Sequence, residues 1–182
     1  MEKYLIVAFL AAGIVFFAAM SYGLLLLNAG RISWYEQLLR NRYLGGVLSA
    51  AALAWCVPQV QAVAWTFLAN WAWIIAAAAL MLCVRYLDNM VARGWAGLLI
   101  MGAYSYLDMI FDCKLELGLA GAVQAWVWGA VGIVVAAKPC YLRDFLRLAA
   151  RKTFWKYLTA ALSMLTVLWL ILTIVIFLKV QG

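Results

Sequence analysis

The chain has 182 residues, of which 70% are hydrophobic and only 12% charged, with a formal charge of +7 and a mean hydropathy of +1.01. A soluble fold of this size has nowhere to place so much apolar surface, which excludes a water-soluble globular domain and makes a bilayer the solvent. The basic excess comes without any helix-turn-helix, zinc or RNA-binding pattern, so the expected counter-charge is anionic lipid and not nucleic acid.

About 20 apolar residues cross a hydrocarbon core of roughly 30 Å. The first such stretch runs from Tyr4 to Asn28. It is longer than the roughly 7–15-residue core of a signal peptide, its basic Lys3 is balanced by Glu2, and no small-x-small cleavage pattern follows, so it reads as a retained span. Next, Ser33 and Glu36 have the spacing of a capping box, predicting a short turn that places Trp34, Tyr35, Leu38 and Leu39 toward lipid. A shorter apolar stretch, Tyr43 to Pro58, is predicted to end at Val57-Pro58, leaving Gln59-Val60-Gln61 before the third stretch, Ala62 to Val84. A re-entrant pair is the alternative there. It would separate the basic cluster at Arg31 to Arg42 from the later ones, and the charges therefore favour a span.

The fourth and fifth stretches are Trp95 to Asp112 and Leu117 to Ala137, and the sixth is Tyr157 to Lys179. Between the last two, Leu142, Phe145, Leu146 and Ala149 recur at helical spacing while Arg143, Asp144, Arg147, Arg151 and Lys152 occupy the other face. This predicts a helix over about 141–152 lying in the headgroup plane, followed by interfacial Phe154 and Trp155. Lipid cannot satisfy open backbone groups, and the alternation of a barrel strand is absent, so every span is predicted to be helical. The expected fold is one all-α integral membrane domain over 1–182. It is a six-helix transmembrane bundle with short amphipathic interfacial helices on the cytoplasmic side.

With six spans, Arg31, Arg40, Arg42, Arg85, Arg93, Lys138, Arg143, Arg147, Arg151, Lys152 and Lys156 share one face, opposite Lys3, Lys114 and Lys179. Lys and Arg accumulate on the cytoplasmic side, which sets both termini outside, in a plasma membrane or, for a bacterium, the inner one.

Intramembrane polar residues are costly and mark function by default. Asn70, Asp108 and Gln124 all fall in the outer half of their spans and form the candidate polar pathway. Tyr104, Ser105 and Asp112 share the face of Asp108, so the set could line an outward-facing vestibule. The simpler reading has Asp108 reaching headgroup water while Asn70 and Gln124 tie helices together. Arg143, Arg147, Arg151 and Lys152 are the candidate lipid-headgroup contacts. Of the ten Trp, Trp34, Trp95 and Trp155 lie near predicted span ends, whereas Trp65, Trp71, Trp73, Trp126, Trp128 and Trp169 lie deeper, where packing and lipid contact compete with an aromatic-lined cavity. Gly118, Ala122, Ala125, Gly129 and Gly132 form a small-residue stripe that permits close helix approach, within the bundle or between subunits.

The chain contains no His, which removes histidine-based acid-base catalysis and most copper and catalytic zinc sites. The four cysteines map to different span ends, Cys56 and Cys113 outer, Cys83 and Cys140 inner, and read as small thiols; only an outer Cys56–Cys113 disulfide is compatible with that placement. Neither a metal nor a cofactor is expected.

Asp88, Ala92 and Arg93, followed by Gly102, Asp108 and Asp112, resemble fragments of the motif of the CDP-alcohol phosphotransferases, which are also compact six-span proteins. Asn89 stands where that motif has glycine and Arg85 where it has an acid. The second acidic pair comes two residues late, a rotation of about 200° around a helix. The chain is therefore not assigned to that family. A weak echo also recurs at an offset of 55 residues, pairing Trp71 and Trp73 with Trp126 and Trp128, and Tyr86-Leu87 with Tyr141-Leu142.

Short length, small-residue stripes and sparse buried polar chemistry lead to the expectation of a non-catalytic membrane subunit that packs against other membrane proteins or copies of itself. The alternative is a small channel or transporter built on Asn70, Asp108 and Gln124. A lipid-modifying enzyme is third.

Overall fold

The computed structural model describes the backbone of residues 2–112 and 118–181 and the side chains of 4–112 and 118–179. Among the described residues the chain is helical with no strands: α1 (Glu2–Leu26), α2 (Ile32–Leu39), α3 (Arg42–Val63), α4 (Thr66–Tyr86), α5 (Met90–Asp112), α6 (Gly118–Ala137), α7 (Cys140–Arg151) and α8 (Thr153–Gln181). All but α2 and α7, six helices in total, are long and apolar enough to cross a membrane.

Local chemistry accounts for several helix boundaries and shifts them from where the apolar pattern puts them. The second stretch does not stop at Val57-Pro58. Helix α3 carries Pro58 inside it and continues to Val63, with Ala64 N–H closing the last turn on the Val60 carbonyl. A proline in mid-helix removes one hydrogen bond. In an apolar setting every other backbone group still has only helical partners, so the helix persists. Asn41 starts it, its side-chain oxygen accepting from the Tyr43 and Leu44 N–H groups at 3.0 and 3.1 Å. The turn into α4 is two residues long, bridged by the Gln61 side chain, which donates to the Ala69 carbonyl at 3.1 Å.

The Ser33/Glu36 capping box does not form. A 3-10 turn, Ala29–Arg31, runs directly into α2, so Ser33 is already helical; at the other end of α2, Leu39 is buried. Helix α5 begins five residues before the expected Trp95, because Asn89 takes a left-handed φ of 56° and lets Met90 start the helix. Asparagine is among the few non-glycine residues that adopt this conformation readily.

The described chain falls into two compact units. The first comprises residues of 1–32, 105–125 and 145–182. Its spine is an antiparallel pair, α1 against α8. Leu10, Phe17 and Leu24 recur every seven residues on α1, facing Ala160, Ser163, Val167, Leu170 and Phe177 on α8, all buried. That three-four spacing is the seam of knobs-into-holes packing. Ser21 donates to the Ala160 carbonyl at 3.2 Å, and Lys156 Nζ donates to the Leu27 carbonyl at 2.8 Å just past the end of α1. A cation there satisfies carbonyls that a helix terminus leaves open.

The second unit comprises residues 33–104 and 126–144. Helices α3 and α4 form an antiparallel hairpin, and α3 runs parallel to the first half of α5 at a very close approach. Gly45 faces Met90, Gly94 faces Leu48 and Ser49, and Gly97 faces Ala52, each in near-contact with the opposing chain. The C-terminal part of α6 lies antiparallel on the same α5 segment, where Gly132 meets Ile100 and the Ala96 carbonyl. Small residues are what let membrane helices come this close.

Candidate functional site

Helix α8 carries a hydroxyl stripe, Thr159, Ser163, Thr166 and Thr173, on its inward side, and three of these are buried. Ser163, Thr166 and Thr173 each donate to the carbonyl four residues back, at 2.9 to 3.0 Å. This spends the one hydroxyl hydrogen and leaves the lone pairs to accept from other helices. Gln124 of α6 uses one of them, its Nε2 donating to Thr166 Oγ1 at 2.7 Å.

Tyr106 of α5, only 1% exposed, uses another. Its hydroxyl lies 3.1 Å from Thr173 Oγ1 and accepts from Trp169 Nε1 at 2.9 Å. Since the Thr173 hydrogen is already given to the Trp169 carbonyl, Tyr106 must be the donor to Thr173. The result is a closed circuit: Trp169 N–H to Tyr106, Tyr106 O–H to Thr173, Thr173 O–H back to Trp169. Every donor in the circuit has an acceptor. The arrangement ties α5, α6 and α8 together within the first unit.

Of the three candidate pathway residues, Gln124 is thus held in this ladder, whereas Asp108 and Asn70 are exposed. Asp108 sits about 200° around α5 from Tyr106, on the outward side with Asp112 and Phe111. Tyr104 is also exposed and Ser105 is half-buried. On α7, Leu146 and Ala149 are buried and belong to the first unit. Arg147, Arg151 and Lys152 are exposed and Arg143 is half-buried, its Nε 3.3 Å from the Asp144 carboxylate.

Trp65, Trp71, Trp73 and Trp126 are exposed, Trp128 is buried, and Trp169 is engaged in the circuit. The 55-residue echo pairs unlike environments: Trp73 is exposed where Trp128 is 8% exposed, and Tyr86 ends α4 where Tyr141 lies near the start of α7. In the small-residue stripe of α6, Gly118 packs against Ile110 in the first unit, and Gly129 and Gly132 pack against Ala103 and Ile100 in the second. Those glycines are used inside the chain.

The second unit holds one unusual basic group. Arg93, in the first turn of α5, donates through Nη1 to the Ala136 carbonyl at 3.3 Å, placing its charge at the C-terminal end of α6. Its Nε is buried without a hydrogen-bond partner, and the side chain borders a groove of about 250 Å³ with Ser49, Ala52, Ile100, Cys56 and Cys83. Among the described residues these two cysteines and Cys140 form no disulfide. Cys113 lies outside the described residues, as does any Cys56–Cys113 bridge.

Among the described residues no three His, Cys, Asp or Glu side chains come together as a metal site, so Asp88, Asp108 and Asp112 do not form the shared acidic cluster of a phosphotransferase. The left-handed backbone at Asn89 does reproduce what a glycine supplies in that motif.

Sequence reading passed over the α8 hydroxyls, Tyr106 and the Arg93 contact. The spacing of Thr159, Ser163, Thr166 and Thr173 is the signal that could have found the first, because hydroxyls repeating every three to four residues in an apolar helix share one face. Comparison with protein-family models, with curated proteins and with solved structures finds no match to this chain.

Proposed function

We propose that the chain is a non-catalytic polytopic membrane protein that works by packing against other membrane proteins, or against copies of itself, in a plasma membrane. The observation that carries this reading is the closed Trp169–Tyr106–Thr173 circuit with its Gln124–Thr166 neighbour, in which buried polar groups are consumed by holding helices together. A transport path needs polar groups that can exchange partners with a solute. A second support is Asp108, a carboxylate on the outward side of α5 one turn inside the helix end, where headgroup water or a polar partner must solvate it.

The parallel course of α3 and α5 and the antiparallel courses of α1 with α8 and α5 with α6 agree with six alternating crossings. The charge bias of the loops supports both termini outside, with α2 and α7 at the cytoplasmic interface. There Arg143, Arg147, Arg151 and Lys152 contact headgroups.

Purification in mild detergent followed by native mass spectrometry, paired with solute and ion flux into liposomes, tests the reading. We expect a defined hetero- or homo-oligomer that Asp108→Ala weakens, and no flux above empty liposomes. Flux abolished by Asp108→Ala would replace this function with transport, a strict monomer without flux would remove the assembly role, and lipid turnover lost in Asp88→Ala would make the protein an enzyme.

A further inference from the structure

The hairpin of α3 and α4 opens, at the end where α3 begins and α4 finishes, into a groove of about 880 Å³. That is within the range of roughly 300–1,000 Å³ typical of small-molecule sites. Two guanidinium groups, Arg42 and Arg85, line this end, and no acidic side chain lines any part of it. Neither arginine has an ion-pair or hydrogen-bond partner among the described residues. Tyr43 and Tyr86 stand beside them, 90% and 72% exposed, the posture of amphipathic rings at headgroup depth.

Away from the charges the wall turns wholly apolar, running back along α4 through Met81 and Leu80 to Ala77. From Tyr86 to Ala77 this covers about 13 Å of helix, at 1.5 Å per residue. Charge at one end and hydrocarbon along the remainder is the outline of a phospholipid and not of a soluble anion, which would leave the apolar wall uncovered.

We propose that this groove binds one anionic phospholipid, its phosphodiester held between Arg42 and Arg85 and an acyl chain laid along Met81, Leu80 and Ala77. The site is independent of whether the protein acts as a subunit, and requires only that α3 and α4 lie in a bilayer. Arginine suits the role because its planar fork can present two donors to a phosphate. A zwitterionic headgroup carries its own cation and gains less from the two charges.

Native mass spectrometry of the purified full chain, titrated with phosphatidylglycerol, phosphatidylcholine or glycerol phosphate, reads the site directly. One phosphatidylglycerol is expected to bind about thirty-fold more tightly than phosphatidylcholine, the gain that two basic residues confer near an anionic lipid. The double substitution Arg42→Gln with Arg85→Gln should erase that preference, and each single substitution should reduce it by about fivefold, so the inference survives a misfolded double variant. Removing the same charge outside the groove, with Arg31→Gln and Arg40→Gln, should leave the preference intact, and Leu80→Trp should weaken both lipids. Equal affinity for the two lipids, loss of preference in the Arg31/Arg40 variant, or glycerol phosphate binding as tightly as the lipid would each overturn the assignment.

Discussion

Tyr106→Ala is expected to destabilise the protein by about 3–5 kcal/mol, the range for truncating a fully buried aromatic ring. Two losses combine. The ring is 1% exposed, so its removal leaves a void that neighbouring helices cannot fill without shifting. Its hydroxyl also links Trp169 to Thr173, and truncation strands the indole N–H in an apolar interior. Tyr106→Phe separates the two, keeping the ring and deleting the circuit, and should cost about 0.6–1.7 kcal/mol, as interhelical hydrogen bonds in membrane proteins do. A double-mutant cycle with Thr173→Val should then show coupling, because the second substitution removes a partner that the first has already lost. Reversible unfolding in mixed micelles measures all of these. If Tyr106→Ala were no more harmful than Tyr104→Ala on the exposed side of the same helix, the buried circuit would have no part in holding the first unit together.

The second large effect is expected at Gly45. A Cβ placed there would clash with the Met90 side chain and lie 2.6 Å from both the Met90 carbonyl carbon and the Val91 nitrogen. The obstacle is backbone, which cannot swing aside as a flexible side chain does, so α3 and α5 must separate. Overpacking of this kind costs about 1–3 kcal/mol, and more where backbone must move. Gly94→Ala should behave similarly, with its Cβ 2.7 Å from that of Leu48 and 2.9 Å from the Ser49 nitrogen. Gly102→Ala is the matched control. Nothing lies within 4 Å of the added carbon, so the better helix propensity of alanine should leave stability unchanged or raise it by about 0.5–1 kcal/mol. Equal unfolding midpoints for Gly45→Ala and Gly102→Ala would contradict the close α3–α5 contact.

Much of the helical frame was readable from sequence because long apolar runs carry it: in lipid, such runs have no way but a helix to satisfy their backbones. What failed were boundaries decided by a few atoms. Pro58 reads as a stop by its chemistry, yet α3 passes through it, since the lost hydrogen bond costs less than unwinding a turn in an apolar setting. The start of α5 was missed because Arg93 and Gly94 break the apolar run, and only the fold reveals that Gly94 is small for the sake of Leu48 and that Arg93 reaches the end of α6.

At the candidate site, residue type was a good guide and exposure was not. Gln124 was weighed as a helix tie and does bridge to Thr166, whereas Asn70, assigned the same part, is exposed. Asp108 is exposed on the side of α5 away from Tyr106. Tyr106 passed unnoticed among nine tyrosines, because composition cannot distinguish a ring at the surface from one whose hydroxyl closes a circuit.

Six crossings with both ends on the outer side are the central expectation for this chain. Reporters that are active only in the cytoplasm or only outside it, fused before Met1 and after Gly182 and at the α6–α7 turn, measure this most directly. The prediction is extracytoplasmic signal at both ends and cytoplasmic signal near Lys138. Ends in opposite compartments, or both in the cytoplasm, would contradict it and reverse the side assigned to Asp108, to the basic face of α7 and to the paired arginines of the α3–α4 groove.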